Sequence, residues 1–144
     1  MRIIGLDLGT KTLGVAVSDA LLTISTGIKT IRFEENKPEH SLNELKRIID
    51  DYKAELIVLG LPKNMNNTEG AAAIRTREFA EILEKDLNLP VEFQDERLSS
   101  VSANNVLLMA NVSRKRRKTK VDTIAATIIL QNYLDIRKGK ENGK

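Results

Sequence analysis

The chain has 144 residues, with 23 Lys and Arg against 20 Asp and Glu, a net charge of +3, 41% hydrophobic residues and only 3% aromatics. That is the size and composition of one compact domain with an aliphatic core. The absence of Cys excludes a disulfide framework or thiolate metal site, and a single His40 excludes a histidine-clustered zinc centre, so any bound metal would have oxygen ligands, as the hard ions Mg2+ and Mn2+ prefer.

Residues 2–8, RIIGLDL, are short, apolar and bounded by Gly9-Thr10, which predicts a buried strand. Residues 13–18, LGVAVS, predict a second, and the intervening GTKT is short enough for an antiparallel hairpin. Residues 27–33 predict a third strand through Ile28 and Ile31. In 41–52, Leu42, Leu45, Ile48 and Ile49 recur on one helical face, and Ser41-x-x-Glu44 has the form of a capping box. Residues 55–60, ELIVLG, read as a strand, and Pro62 with the polar run 63–70 reads as a loop. A second helix is expected at 71–87, with Phe79, Ile82, Leu83 and Leu87 on one stripe, then a strand at 91–95 and a third helix at 100–110. The basic run 114–120 is expected to be a loop and 121–136 a final helix. The order β-β-β-α-β-α-β-α-α implies an α/β fold. Its five-stranded mixed sheet opens with an antiparallel meander and carries helices on its faces. One domain is expected over 1–138, with a disordered tail at 139–144. Phe33, Phe79 and Phe93 fall at expected core positions, and no aromatic ladder for base stacking is present.

No apolar run approaches the roughly 20 residues of a membrane span, and MRIIGLDLG lacks the layout of a signal peptide. A soluble cytoplasmic protein without membrane contact is expected. Charge is unevenly placed. Arg114, Lys115, Arg116, Arg117, Lys118 and Lys120 form a run without an acid, and the remainder of the chain is net acidic. A concentrated cationic segment on an acidic body points to a local anionic partner, and nucleic acid is favoured over a merely solvated loop because the run leads directly to Asp122.

Three acids stand out. Asp7 lies in an otherwise apolar strand, where a carboxylate is costly unless paired or bound to an ion. The plainer alternatives are that alternation turns it outward or that it caps the turn at Gly9. Asp95-Glu96-Arg97 ends a strand, where α/β proteins place ligands, although a surface Glu–Arg pair explains it as well. Asp122 closes Thr119-x-x-Asp122, which also fits a helix cap. Two carboxylates about 4 Å apart repel by roughly 4 kcal/mol at an effective dielectric of 20, so three that converge require a cation. Paired divalent ions could then activate water and stabilise the leaving oxygen of a phosphodiester, without a histidine base.

Four stretches together carry a resemblance to a known family: GLDLGTKTLGVAVSD at 5–19, GLP with the polar loop at 60–70, DERLSS at 95–100 and KTKVDTIAATIILQNYL at 118–134. They resemble the YqgF/RuvX family, described as Holliday junction resolvases or as nucleases of the small-subunit ribosomal RNA precursor. The resemblance implies a ribonuclease H-like fold. It also implies Asp7, Glu96 and Asp122 as catalytic and metal-holding residues, with Mg2+ or Mn2+, two ions being expected. The implied function is a cytoplasmic nuclease, processing the 5′ end of pre-16S rRNA or cutting branched DNA, acting near ribosomal particles as monomer or homodimer. Many members carry Arg two residues after the first-motif Gly. Here that position is Lys11, which keeps the charge but loses the bidentate fork, and it is kept as a phosphate contact.

Two other classes compete. Asp7-x-Gly9-Thr10 also resembles the phosphate turn of actin-like and sugar-kinase ATPases, but these bind nucleotide between two such domains and this chain supplies one. A non-catalytic RNA-binding module would use the basic segment alone.

Overall fold

The computed structural model describes the backbone of residues 1–62, 69–95 and 114–143, and the side chains of 1–62, 69–95 and 123–138. In chain order the elements are β1 (Arg2–Leu8), β2 (Thr12–Ser18), β3 (Ser25–Arg32), a 3-10 turn (Pro38–Ser41), α1 (Leu42–Tyr52), β4 (Ala54–Leu61), α2 (Ala71–Leu87), β5 (Val91–Asp95) and α3 (Arg114–Gly143). The strands form one sheet in the order β3-β2-β1-β4-β5. The β1–β2 and β2–β3 pairs are antiparallel, whereas β1–β4 and β4–β5 are parallel. The expected mixed five-stranded sheet is therefore present.

Strand alternation splits the core. Ile4 and Leu6 of β1, with Leu13, Val15, Ile57 and Leu59, pack beneath Leu45 of α1 and Phe79 and Leu83 of α2. Ile3, Ala16, Leu56 and Val58 lie on the opposite face beneath Ala126, Ile129, Leu130 and Leu134 of α3. Burying one such Leu or Ile side chain contributes about 1.5–3 kcal/mol. Both faces being covered explains why the central strands read as nearly continuous apolar runs.

Glycine sets how closely α3 approaches. A Cβ added at Gly5 would sit 2.6 Å from Leu130 Cβ and 3.2 Å from the Ala126 carbonyl oxygen. One added at Gly27 would sit 2.8 Å from both Thr123 Cγ2 and Thr127 Oγ1. Helices α1 and α2 end on left-handed caps: Lys53 (φ 55) donates its N–H to the Ile49 carbonyl, and Asn88 (φ 55) donates to Glu84, with Pro90 two residues on.

Several expectations need correction. The run 114–120 is not a loop but the first two turns of α3, which extends over 114–143 rather than 121–136. Arg and Lys are good helix formers and 114–138 contains neither Gly nor Pro, so charge marked the segment without breaking it. The helix also continues to Gly143, across the segment expected to be a disordered tail. Lys138, Lys140 and Glu141 favour helix, and extending a formed helix costs little. Ser41 makes no capping hydrogen bond. It ends a 3-10 turn that runs straight into α1, and its Oγ donates to the Pro38 carbonyl at 2.6 Å. Glu44 instead pairs with Lys29 of β3. Phe93 is 36% exposed, on an edge strand beneath Arg77, whereas Phe79 is 1% exposed and Phe33 packs partly buried against the core. The expected helix at 100–110 lies outside the described residues.

Candidate active site

Asp7 is 8% exposed, which removes the outward-facing alternative. It follows Ile3 and Gly5 on the face of β1 that α3 covers. Its partner on β2 is Gly14, and Gly14 pairs with Thr30 of β3. On the other side Leu6 pairs with Leu59, so the next residue, Gly60, continues the row, and Gly60 pairs with Gln94 of β5. Asp7 thus lies in a transverse row whose neighbouring positions on β2 and β4 are both glycines. With strands about 4.8 Å apart, this leaves a side-chain-free trough flanking one buried carboxylate. The row lies at the C-terminal ends of the parallel strands, where open α/β sheets hold their ligands.

Helix α3 runs antiparallel to β1 above this row. Leu130 and Ala126 cover Gly5, and Thr123 and Thr127 cover Gly27 of β3. Two residues along a strand advance about 6.7 Å. Four residues along a helix advance about 6 Å. Stepping from Gly5 to Asp7 on β1 therefore matches one turn back along α3, from the 126–130 stretch that covers Gly5 to the 122–126 stretch. Asp122 occupies the next place in the stripe formed by Ala126, Leu130 and Leu134. It lies inside the helix, so the capping role for Thr119-x-x-Asp122 does not apply.

Lys11 is exposed in the turn joining β1 to β2. That turn is closed by Gly9 N–H donating to the Thr12 carbonyl at 2.8 Å and by Phe33 N–H donating to the Lys11 carbonyl at 2.9 Å. Its charge stands at the same sheet end as Asp7. Asp95 ends β5 opposite Leu61. Glu96 and Arg97 follow it in sequence and lie outside the described residues, as does the polar loop 63–68. Arg114, Lys115, Arg116, Arg117, Lys118 and Lys120 occupy the turns of α3 directly before Asp122. Among the described side chains no group of three acids or histidines gathers, and two of the three candidate ligands fall outside that set.

Two polar anchors hold the surroundings. Arg77 Nε and Nη2 each donate to Glu69 at 2.7 Å while the guanidinium lies 5.0 Å above the Phe93 ring, so the return from the polar loop is tied to α2 and β5. The Glu69 carboxylate raises the Arg77 pKa further above its ordinary value. On the α3 face, Tyr133 Oη donates to Glu92 Oε2 at 3.0 Å, linking the helix to β5. Burial pushes the Tyr133 phenol above its ordinary pKa, Arg137 partly offsetting this, so it stays protonated as a donor.

Sequence reasoning missed Gly14, Gly60 and Thr30 as members of this row. A signal existed: Thr123, Thr127 and Gln131 recur every four residues on a helix whose neighbouring stripe is apolar, which marks a polar seam against the sheet.

The same fold occurs in resolvases of known structure. A fowlpox virus resolvase complexed with Holliday junction DNA aligns at TM-score 0.59 and 13% identity, over 95% of this chain and 99% of that one. A Thermus thermophilus RuvC in complex with a Holliday junction substrate aligns at TM-score 0.56 and 13% identity, over 96% of each. These likenesses show that the chain has the fold of those resolvases, a ribonuclease H-like fold. The family model described as "RuvX: Holliday junction resolvase" matches residues 1–136, and the chain belongs to that family. Among its relatives, a Geobacillus protein is 53% identical over 135 residues, 94% of this chain and 98% of its own length. A Desulfitobacterium hafniense protein is 51% identical over 144 residues, covering this chain completely and 98% of its own length. Both carry the name "Putative pre-16S rRNA nuclease".

Proposed function

We propose that this chain is a nuclease that hydrolyses the phosphodiesters of a ribosomal RNA precursor at the 5′ end of pre-16S rRNA, with Asp7, Glu96 and Asp122 as its metal-holding residues. Family membership and the names of the relatives support the nuclease activity and favour the RNA substrate. The observation that carries the assignment of the site is the placement of Asp7, buried between two glycine positions on the face of β1 that α3 covers.

The donor chemistry fits a hard divalent cation. The proposed ligands are all carboxylates, the oxygen donors that such an ion prefers. When bound, Mg2+ or Mn2+, proposed as a pair, supplies an activated water and stabilises the leaving oxygen. The chain itself provides the frame. Gly14 and Gly60 keep the row beside Asp7 clear, and Lys11 places a cation for a phosphate at the same sheet end. The basic run falls on the first turns of α3 with like charges at i, i+4 spacing, Arg114 with Lys118 and Arg116 with Lys120, a spacing that an anion would favour. A phosphate backbone is such an anion.

Branched DNA is the second reading, favoured by the description of the family model. A four-way junction would call for a symmetric dimer, whereas trimming RNA needs only one copy. No helix among the described residues is long and apolar enough to cross a membrane, and a cytoplasmic setting is part of the proposal. The deciding experiment compares cleavage of a ribosomal RNA precursor and of a four-way junction with Mg2+ or Mn2+, by the wild type and by Asp7→Asn. The expected result is cleavage of the RNA by the wild type alone. A fully active Asp7→Asn, or a wild type that binds but cuts neither substrate, would overturn it.

A further inference from the structure

Resting on the nuclease reading above, we infer that Thr30 is a positioning residue for Asp122, acting through its hydroxyl contact with Thr123. Thr30 Oγ1 hydrogen-bonds Thr123 Oγ1, joining β3 to the residue next to Asp122. Both arms of Thr123 are engaged, its hydroxyl with Thr30 and its Cγ2 against Gly27, where an added Cβ would come within 2.8 Å. A β-branched side chain held at both arms is restricted to one rotamer, so it fixes the rotation of the helix as well as its height.

The rest of the seam keeps the same alignment. Thr127 Oγ1 donates to the Thr123 carbonyl at 2.8 Å. Gln131 accepts from Ser25 N–H at 2.9 Å and donates to the Thr23 carbonyl at 3.0 Å. Thr123, Thr127 and Gln131 therefore grip β3, while Ala126, Leu130 and Leu134 lie in the second core. One residue back from Thr123 is about 100° around the helix. That step leads from the β3 seam to the stripe lying over β1. Thr30 also stands in the row of Asp7, both pairing with Gly14. The sheet row that carries Asp7 thus fixes the helical turn that carries Asp122. The directional hydrogen bond adds an orientational constraint to the packing of Ala126 and Leu130, and ligands require placement within about 0.5 Å.

The test pairs Thr30→Val, which keeps the shape and removes the hydroxyl, with Thr30→Ser, which keeps the hydroxyl. Mn2+ binding is measured by calorimetric titration without substrate, and the Mg2+ concentration for half-maximal cleavage is measured with substrate. Loss of a residue that orients a metal ligand weakens metal binding by about 10-fold or more. Thr30→Val should show that weakening in both measurements, with cleavage partly restored by excess Mg2+, while Thr30→Ser stays within about 2-fold of wild type and so excludes general damage. Thr123→Val, which retains Cγ2, should reproduce the shift, and Thr30→Val with Thr123→Val should be no worse than either alone. Unshifted metal affinity in a folded Thr30→Val or Thr123→Val, or an equal shift in Thr30→Ser, overturns the inference. The underlying nuclease reading fails separately, through an active Asp7→Asn.

Discussion

Asp7 and Thr30 pair with the same residue, Gly14, from opposite sides, and so lie on one line across the sheet with no side chain between them. The two differ in task. Asp7 is buried on the face that α3 covers, and Thr30 hydrogen-bonds Thr123 of α3.

The first consequence concerns stability rather than cleavage. Replacing Asp7 by Asn removes a buried charge while preserving shape. In metal-free buffer the variant should melt at or slightly above the wild-type temperature. Added Mg2+ should stabilise the wild type, by about 2.7 kcal/mol at a concentration 100 times Kd, and stabilise the variant much less. Thermal melts with and without Mg2+ check this, and an identical metal response in the two proteins would remove Asp7 from the site.

Gly5 should tolerate no side chain. Its Cβ would meet Leu130 Cβ at 2.6 Å, so Gly5→Ala must push α3 off β1. Overpacking of this kind costs about 1–3 kcal/mol. Urea unfolding should show that loss, and cleavage should fall further than stability because α3 carries Asp122. Wild-type stability in Gly5→Ala would mean that the helix is not seated as described.

The basic turns of α3 should act through phosphates. Substituting Gln for Arg114, Arg116 and Arg117 keeps helix propensity. Each lost phosphate contact should flatten the slope of log affinity against log salt by about 0.7 for single strands or 0.9 for duplex. Binding titrations between low and moderate salt measure it, and an unaltered slope would place this segment away from the nucleic acid.

Asp19 gives a pH signature far from the site. Its Oδ1 accepts from Thr23 N–H at 2.7 Å and Ile24 N–H at 3.0 Å, tying the β2–β3 turn. The Ile24 and Thr23 backbone bonds hold its carboxyl below the ordinary carboxylate range. A lowered folded pKa adds stability above the unfolded value, near 4, that is lost as pH falls through the folded one. Asp19→Asn should therefore be less stable than wild type at pH 7, with the difference narrowing towards pH 3. Parallel melting curves across that range would contradict the assignment.

Much of the fold could be read from the sequence because its central strands are buried on both faces and its first turn is short. The hairpin at Gly9–Lys11, the stripes of α1 and α2, and the parallel strands β4 and β5 follow from local pattern. The start of α3 did not, because a run of like charges looks the same in a helix and in a loop, and tertiary context decides. The misplaced cap at Ser41 has a similar cause: Ser41-x-x-Glu44 is a capping box only if Ser41 leaves the helical region, and Pro38 starts a 3-10 turn that keeps it there. Asp7 was conspicuous as one acid among aliphatics. Thr30 was not, because its importance arises from a pairing register and a helix nearly a hundred residues away.

That distance in sequence also orders events during synthesis. The three-strand meander, α1, β4 and α2 emerge first, and together they supply the first core. The face of β1 that bears Ile3, Gly5 and Asp7 stays bare until α3 has been translated and lands on it. Synthesis runs from the N-terminus, and a domain folds as a unit. With Asp122 on α3, a hydrolytic centre of the proposed kind would be complete only once that last helix has been made and lies over the sheet.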